Sequence, residues 1–255
     1  MPDTPRRLII STVSLRLFAS EIFVGEQVLS NAEAHHARDV LRLSTGDAVE
    51  LFDPAGRVGV ATLLKLDRRG VTVSVSSILD APAVVGLEIA CALPKGDRAD
   101  WLAEKLSEIG VTRLVPLIAE RSVVVPKGDG KLDRLRRIAV EAAKQSQRVG
   151  VMSVDPPMPL RVLLNDRFVG GRFVLSTQGA TQSLAAALPK VATPVQLVVG
   201  PEGGWTDREL HEMSEAGLTA VSLTTTILRI ETAAVVAAGC VATKRCAPHG
   251  NQSNP

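Results

Sequence analysis

The sequence has few aromatic residues and no long hydrophobic run. Aromatic side chains make up 3% of the 255 residues and tyrosine is absent, so recognition of unpaired bases by stacked rings has few residues to use. The longest apolar run, near residues 233–242, is about half of the roughly 20 residues that a membrane-spanning helix needs. We therefore expect a soluble protein without membrane segments, whose RNA contacts, if any, use arginine and backbone groups.

Cysteine and net charge are also low. The three cysteines, Cys91, Cys240 and Cys246, include no CxxC pair, so neither a disulfide framework nor a zinc site is indicated, and no metal is expected. The N-terminus lacks a sustained hydrophobic segment, which argues against secretion and favours the reducing cytoplasm. A net charge of +2 does not by itself indicate a nucleic-acid partner, because a solvated surface gives the same value.

The spacing of apolar residues divides the chain into two domains. Residues 1–14 are expected to be a flexible extension. Residues 15–80 alternate short β-like segments with turns around one helix over 34–43, which predicts a small β-barrel. From 84 to 245, strands alternate with helices, which predicts an α/β domain with a parallel sheet covered on both faces. Residues 246–255 are expected to be disordered.

Within the second domain, apolar periodicity and capping residues predict four longer helices. They are expected over about residues 98–110, 131–148, 206–216 and 231–244. Trp101, on the first of these helices, is expected to pack in the core. Trp205 is expected to cover a ligand or a partner subunit.

A glycine-rich turn, VVGPEGGWT at residues 198–206, lies where a predicted strand ends and a predicted helix begins. Such a junction presents unpaired backbone N–H groups that suit a nucleotide or another polar ligand. Thr206 and Glu209 have the spacing of a capping box. Taken alone, the motif is equally compatible with a tight turn that binds nothing. It matches neither the GxGxxG dinucleotide fingerprint nor a phosphate-binding loop, which disfavours a dehydrogenase or a kinase.

Four separate motifs resemble one known family. They are HHARDVLRLSTGDAVELFD at residues 35–53, IAVEAAKQSQR at 138–148, GPEGG at 200–204 and VSLTTTILRIETAA at 221–234. With these motifs in this order, the chain from about Leu15 to Val241 resembles the RsmE family of ribosomal RNA methyltransferases.

The resemblance implies a fold and a reaction. The fold is a PUA-like RNA-binding β-barrel followed by a SPOUT-type α/β domain with a deep trefoil knot, and the implied working unit is a homodimer. The reaction is methylation of N3 of a specific uridine in 16S rRNA of the small ribosomal subunit, with S-adenosylmethionine as cofactor. Ordinary topology rules would argue against a knot, so this feature is implied by the resemblance alone.

The resemblance also implies three cofactor loops at one edge of the sheet. The cofactor-binding residues carried over are Leu175, Ser176, Thr177, Val199, Gly200, Gly203, Gly204, Leu223, Thr225, Ile227 and Leu228. The glycines are expected to let the main chain pack against the cofactor. In the third loop, Thr224–Thr226 stand where the family usually has a glycine and a basic residue, and threonine is poorly suited to positive φ. We expect cofactor binding to survive this departure, in a weakened form.

Methyl transfer to uridine N3 requires that its proton be removed, because protonated N3 is a poor nucleophile. Arg229 is the predicted stabiliser, since a guanidinium aimed at the uracil carbonyls would favour the uridinate anion. Glu231 is predicted to accept the proton or to orient Arg229, and Glu202 is a second carboxylate beside the methyl donor. A structural alternative stays open, in which Arg229 and Glu231 cap the last helix and Glu202 braces the turn.

Arginines are the predicted RNA contacts. In the barrel, phosphate contacts are expected from Arg16, Arg38, Arg42 and Arg57. The helix over 131–148 carries six basic and two acidic residues, an excess that suits phosphate contact, and Arg134 and Arg148 are its predicted RNA-binding residues. Its charged stripe is also compatible with a solvated face. Glu141, Gln145 and Arg148 match the family pattern and are expected to face the active site or the partner subunit.

Three other functions remain open at this point. A knotted methyltransferase could act on a different RNA atom, such as a ribose 2′-hydroxyl, although the N-terminal barrel favours uridine. The threonine-filled loop could mark a ribosome-assembly protein that binds RNA and has lost catalysis. A nucleotide-binding enzyme of Rossmann type is a third alternative.

Overall fold

The structure is a computed structural model that describes residues 15–67, 70–80, 84–124, 128–188 and 193–246. The chain forms two compact units, which divide between residues 82 and 83. The predictions for residues 1–14, and for the tail beyond Cys246, lie outside the described residues. Cys246 itself, expected in the tail, is the last residue of a helix.

The N-terminal unit is a five-stranded sheet with one short helix. Its strands are β1 (Arg16–Phe18), β2 (Gly25–Leu29), β3 (Ala48–Phe52), β4 (Arg57–Asp67) and β5 (Gly70–Asp80). They are ordered β1-β3-β4-β5-β2, with β1 parallel to β3 and the other pairs antiparallel. Helix α1 (Asn31–His35) continues into a π-helical turn at His36–Val40.

Alternating residues of this sheet form the core of the N-terminal unit. Val71, Val73 and Val75 of β5 are fully buried against α1 and the neighbouring strands, as a sheet with one buried face requires. The predicted β-rich domain is present, but β2 was not predicted. The helix expected over 34–43 instead begins at Asn31, where the Ser30 side chain caps it, and ends in a π turn that local periodicity does not anticipate.

The C-terminal unit alternates strands and helices. Its strands are β6 (Leu87–Cys91), β7 (Arg113–Ile118), β8 (Ser153–Val154), β9 (Met158–Pro159), β10 (Gly171–Leu175), β11 (Val195–Val199) and β12 (Thr219–Val221). Its helices are α2 (Asp97–Ile109), α3 (Asp129–Gln145), α4 (Leu160–Asn165), α5 (Leu184–Ala187), α6 (Asp207–Glu215) and α7 (Ile230–Cys246). The main sheet has the order β12-β10-β11-β6-β7-β8, and β9 pairs with β7.

Every strand pair in this unit is parallel. One face of the sheet packs against α2, α3 and α7, and the other packs against α4 and α6. The predicted parallel sheet covered on both faces is therefore confirmed. Helix α3 ends at Gln145, three residues before the predicted end, because the chain turns at Gln147 with φ of +53°. The short elements β8, β9 and α4 were not predicted.

A row of polar residues crosses four neighbouring strands of the sheet. Arg172, Gln196, Glu88 and Arg113 are register partners in β10, β11, β6 and β7. Arg172 donates to the side-chain oxygen Oε1 of Gln196 at 2.8 Å, the side-chain amide Nε2 of Gln196 donates to Glu88, and Arg113 donates to Glu88 at 2.9 Å. Because a slip of one residue would leave these buried groups unpaired, this polar ladder specifies the register of the sheet.

Removal of the central carboxylate tests the polar ladder. Glu88→Ala is expected to lower the free energy of unfolding of the C-terminal unit by about 2–4 kcal/mol, because the buried Gln196 amide loses its acceptor and Arg113 loses one of its carboxylate partners. Urea unfolding followed by tryptophan fluorescence reports on this unit, which contains both tryptophans, Trp101 and Trp205.

The matched control for Glu88→Ala is Asp166→Ala. The Asp166 carboxylate lies 3.7 Å from Arg113 but is half-exposed, so its loss should cost less than about 0.5 kcal/mol. Equal effects of the two substitutions would contradict a register role for the ladder.

Candidate functional site

The C-terminal ends of β12, β10 and β11 lie side by side at one edge of the sheet. Leu175 pairs with Val221, and Val174 pairs with Val198, so the three segments that follow these strands start next to one another. These segments are residues 176–180, 222–229 and 200–206. The sheet thus brings the three predicted cofactor loops together from distant parts of the chain, at the edge where open α/β sheets bind ligands.

Each glycine of the second loop has its own structural reason. A Cβ at Gly200 would lie 2.8 Å from the Trp205 indole, and a Cβ at Gly203 would lie 3.1 Å from the Cβ of Arg121. Gly204 has φ of +69°, and a Cβ there would meet nothing within 4 Å, so backbone conformation favours glycine at this position. The expectation that all three glycines serve cofactor approach is therefore revised. The protein's own side chains explain Gly200 and Gly203, and open space adjoins only Gly204.

Trp205 lies beneath the second loop and connects it to the first. Its side chain is 9% exposed and packs in the core under Gly200. Its indole N–H donates to the carbonyl of Leu175 at 3.0 Å. Trp205 is thus a core residue, whereas we had expected it to cover a ligand or a partner subunit. Trp101, expected in the core, is 43% exposed.

The helix that follows the second loop begins at a capping box, as predicted. The Thr206 hydroxyl accepts from the Glu209 N–H at 3.2 Å, and Glu209 Oε2 accepts from the Thr206 N–H at 2.9 Å. Glu209 is 3% exposed, and its Oε1 accepts a third bond, from the N–H of Glu120 at 2.8 Å. This carboxylate therefore joins the start of α6 to the turn after β7.

The third loop accommodates its threonines without left-handed backbone. Within the described ranges, Arg42 and Gln147 are the only non-glycine residues with positive φ, so the strain that we expected at Thr224–Thr226 is not present. The Thr224 hydroxyl donates to the carbonyl of Thr226 at 2.8 Å and closes the turn. The next residue, Ile227, is 88% exposed.

Glu231 is buried at the start of α7 and forms an ion pair that was not predicted. It is 6% exposed, and its Oε1 lies 3.5 Å from Nη1 of Arg98 in the first turn of α2. Its Oε2 has no hydrogen-bond partner among the described residues. Arg229 is exposed, and its carbonyl accepts from the N–H of Ala233 in the first turn of α7. The observed partner of Glu231 is therefore Arg98 and not Arg229.

No local signal in the sequence identifies Arg98 as the partner of Glu231, because Asp97 and Asp100 lie in the same first turn of α2. The unpaired oxygen of Glu231 points to function. A buried carboxylate oxygen without a donor is costly, and such groups in folded proteins require an explanation such as a catalytic role.

Cys91, the last residue of β6, is completely buried. Burial raises the pKa of its thiol, and the negative charges of Glu231 and Glu202 raise it further. Glu202 itself is exposed. The thiol stays protonated and is not a candidate nucleophile.

Two arginines that were predicted to contact RNA are held inside the protein. Arg16 is 5% exposed, lies 4.6 Å from the ring of Phe52 and pairs with Glu50 at 2.8 Å. Arg148 donates to two backbone carbonyls at the end of α2, at 2.7 and 2.8 Å, and burial lowers its pKa to about 10. The expectation for these two residues is therefore corrected, because their guanidinium groups satisfy internal acceptors instead of facing solvent.

The other four arginines are more accessible. Arg42 is exposed, and Arg38 and Arg134 are 41% and 61% exposed beside Asp39 and Asp100. Arg57 is one-third exposed and pairs with the buried Asp53 at 2.7 Å. A groove of about 580 Å³ lies between α2 and α3; its lining includes Arg134, Glu141 and Gln145.

The residues at the sheet edge fit a polar ligand such as S-adenosylmethionine. Among the described residues, the N–H groups of Gly200, Ile227 and Leu228 donate to no protein acceptor. Together with the unpaired Oε2 of Glu231 and the open space at Gly204, they offer donors, an acceptor and bare main chain within the same three loops.

The described residues contain neither of two other classes of site, a metal centre or a membrane-spanning helix. In the described ranges, His, Cys, Asp and Glu side chains nowhere gather in threes or more that could hold a metal ion. Across the same part of the chain, no helix combines the length and apolar character needed to cross a membrane.

Family models match both units of the chain. A model described as RNA methyltransferase PUA domain matches residues 29–76, and one described as RNA methyltransferase domain matches residues 82–242. The second match alone covers more than half of the chain.

Individual relatives agree with the family models. The ribosomal RNA small subunit methyltransferase E proteins of Synechocystis and Mycobacterium bovis are 34% and 32% identical to this chain. The matches cover 85% and 84% of this chain, and 73% and 85% of the relatives. A crystal structure of the Neisseria gonorrhoeae protein of that name, bound to S-adenosyl methionine, is 29% identical with a TM-score of 0.80, over 91% of this chain and 98% of that one.

Gly200→Ala tests the contact between the second loop and Trp205. We expect the free energy of unfolding to fall by about 1–3 kcal/mol, because the new Cβ overlaps the buried indole. Gly130→Ala is the control, since a Cβ there meets nothing within 4 Å at the start of α3; it should be neutral or slightly stabilising. Unchanged urea stability of Gly200→Ala would contradict the observed packing.

Proposed function

This chain belongs to the ribosomal RNA small subunit methyltransferase E family, the RsmE family of RNA methyltransferases, and from this premise we propose its function. The protein methylates 16S rRNA of the small ribosomal subunit at N3 of a specific uridine, with S-adenosylmethionine as methyl donor. The observation that carries the proposal is the buried, unpaired carboxylate oxygen of Glu231 at the sheet edge formed by the three adjacent loops.

Backbone groups of the three loops are the proposed cofactor site. S-adenosylmethionine supplies an electrophilic methyl group when bound. The N–H groups of Gly200, Ile227 and Leu228, which donate to nothing else in the described residues, are available to bind its polar atoms. The exposed side chain of Ile227 offers an apolar surface for a ring. The remaining residues of the three loops keep the roles implied by the resemblance.

Arg229 and Glu231 are the proposed catalytic residues, and Arg98 is the proposed positioning residue. The exposed guanidinium of Arg229 is free to approach the uracil carbonyls and stabilise the uridinate anion. Oε2 of Glu231 is the proposed proton acceptor, because it is the one buried carboxylate oxygen without a partner in the described chain. Arg98 contacts the other oxygen at 3.5 Å and so holds the carboxylate in place. Glu202 is the proposed second carboxylate near the methyl donor.

The accessible arginines are the proposed RNA contacts. Arg38, Arg42 and Arg57 of the N-terminal unit and Arg134 of α3 keep this role, while Arg16 and Arg148 do not. The threonine-filled loop was the reason to consider a protein without catalysis. Its unstrained backbone removes that reason, so the enzyme is the better supported function.

Three further features are proposed with this function. The homodimer and the deep trefoil knot are proposed from the family. Ribosomal RNA as substrate supports the proposed cytoplasmic location.

Product mapping tests the proposed reaction. The protein is incubated with S-adenosylmethionine carrying a labelled methyl group and with small subunits that lack the modification, and the 16S rRNA is digested and analysed. Label on N3 of one uridine is the expected result. Label on a ribose 2′-oxygen would contradict the uridine reaction and support methylation of a ribose 2′-hydroxyl. Absence of label would exclude methyl transfer to this RNA.

Arg229→Ala and Glu231→Gln test the catalytic assignment. Each is expected to lower kcat by about 100-fold or more, because charge stabilisation and proton removal act in the transition state. Unfolding midpoints should stay close to that of the unaltered protein for Arg229→Ala. The control is Arg161→Ala, which removes a surface arginine paired with Glu212 and should leave kcat unchanged. Full turnover by both site variants would make the residues helix caps and not catalysts.

A further inference from the structure

The turn that follows β7 has a defined conformation beside the second loop. The Ser122 hydroxyl accepts from the N–H of Ala119 at 2.9 Å, and the N–H of Ser122 donates to the Ala119 carbonyl at 3.1 Å. These two bonds close a tight turn that presents Glu120 and Arg121. In the sheet, β6 separates β7 from β11, so the second loop must extend across the end of β6 to reach this turn.

Arg121 holds the second loop by two backbone carbonyls. Its Nη1 donates to the carbonyl of Gly203 at 2.9 Å and to that of Trp205 at 3.3 Å. Its aliphatic stem lies over Gly203, where an added Cβ would be 3.1 Å from Cβ and 3.3 Å from Cδ of Arg121. The lack of a side chain at Gly203 therefore lets the stem of Arg121 lie directly against the loop.

The same turn holds the loop at a second point. The N–H of Glu120 donates to Glu209, which also caps the helix that follows the loop. The loop is thus fixed at Gly203 and Trp205 by Arg121, and at the start of α6 by Glu120. Through the indole of Trp205, which donates to Leu175, the contact extends to the first cofactor loop.

From these contacts we propose that Arg121 is a positioning residue for the methyl donor. Its guanidinium fixes the conformation of the second loop, and through Trp205 that of the first, before the cofactor binds. The inference rests on the proposed function, because it assumes that these loops bind S-adenosylmethionine. Arg121 does not contact the reacting atoms in this account. Its loss should therefore weaken cofactor binding and leave the chemical step intact, since pre-organised loops reduce the ordering cost of binding.

Calorimetric titration of S-adenosylmethionine tests the proposal directly. Arg121→Met keeps the aliphatic stem and removes both hydrogen bonds, so the fold is expected to be retained, and the Kd should rise by about 10-fold. Arg121→Lys keeps a charged donor and should recover part of this loss. The KM for the cofactor should follow the Kd, while kcat at saturating cofactor stays within about 2-fold of the original value.

A matched control removes a neighbouring arginine. Arg208→Met breaks the ion pair between Arg208 and Glu120, at 2.8 Å, on the same turn, but does not touch the glycine loop. Its Kd should stay within about 2-fold. Gly203→Ala should weaken binding as Arg121→Met does, because its Cβ displaces the stem of Arg121.

The outcomes separate this inference from the proposed function. If the unaltered protein binds S-adenosylmethionine and Arg121→Met binds it equally well, the positioning role is wrong and the proposed function stands. If Arg121→Met lowers kcat at saturating cofactor while Kd is unchanged, Arg121 acts in catalysis and the inference is also overturned. If the unaltered protein does not bind the cofactor, the proposed function itself fails.

Discussion

Parallel pairing of β12, β10, β11 and β6 in one register is the constraint on which the candidate site depends. It aligns three strand ends, so that loops from separate parts of the chain form one surface. The polar ladder through Glu88 and Gln196 crosses three of these strands away from the loops, and a shift in register would break it. The polar ladder, which lies away from the loops, therefore helps to fix the positions of the strand ends where the cofactor is proposed to bind.

The loops are shaped by side chains that lie outside the cofactor motif. Trp205 supports Gly200 from below, and Arg121 holds Gly203 from the neighbouring turn. These two glycines therefore have two roles. They leave room for the side chains of Trp205 and Arg121, and the loop that results presents backbone groups without a protein partner. Glu231 contacts Arg98 through Oε1, and its buried Oε2 has no partner among the described residues. A stable fold alone does not explain the free-energy cost of this unpaired oxygen, whereas a site that binds a ligand or takes up a proton does.

Local patterns predicted much of the fold. The helices ending at Gly110 and beginning at Thr206 were predicted, since their caps are read from nearby residues, and the four motifs identified the family. Contacts between distant residues were not predictable in this way. Arg98 and Glu231 are 133 positions apart, and Arg121 and Gly203 are 82 apart. The burial of Arg16 and Arg148 was missed for the same reason, because charge spacing along a chain does not show which internal acceptors a guanidinium will meet.

The three strand-end loops are proposed to form one binding surface for the methyl donor. A crystal structure of this protein with S-adenosylhomocysteine, the product that keeps the adenosyl group, tests this surface most directly. The adenosyl group is expected against the loops after β10, β11 and β12, with backbone N–H groups of Gly200, Ile227 or Leu228 as donors. Density for the ligand only elsewhere, such as the groove between α2 and α3, would contradict it.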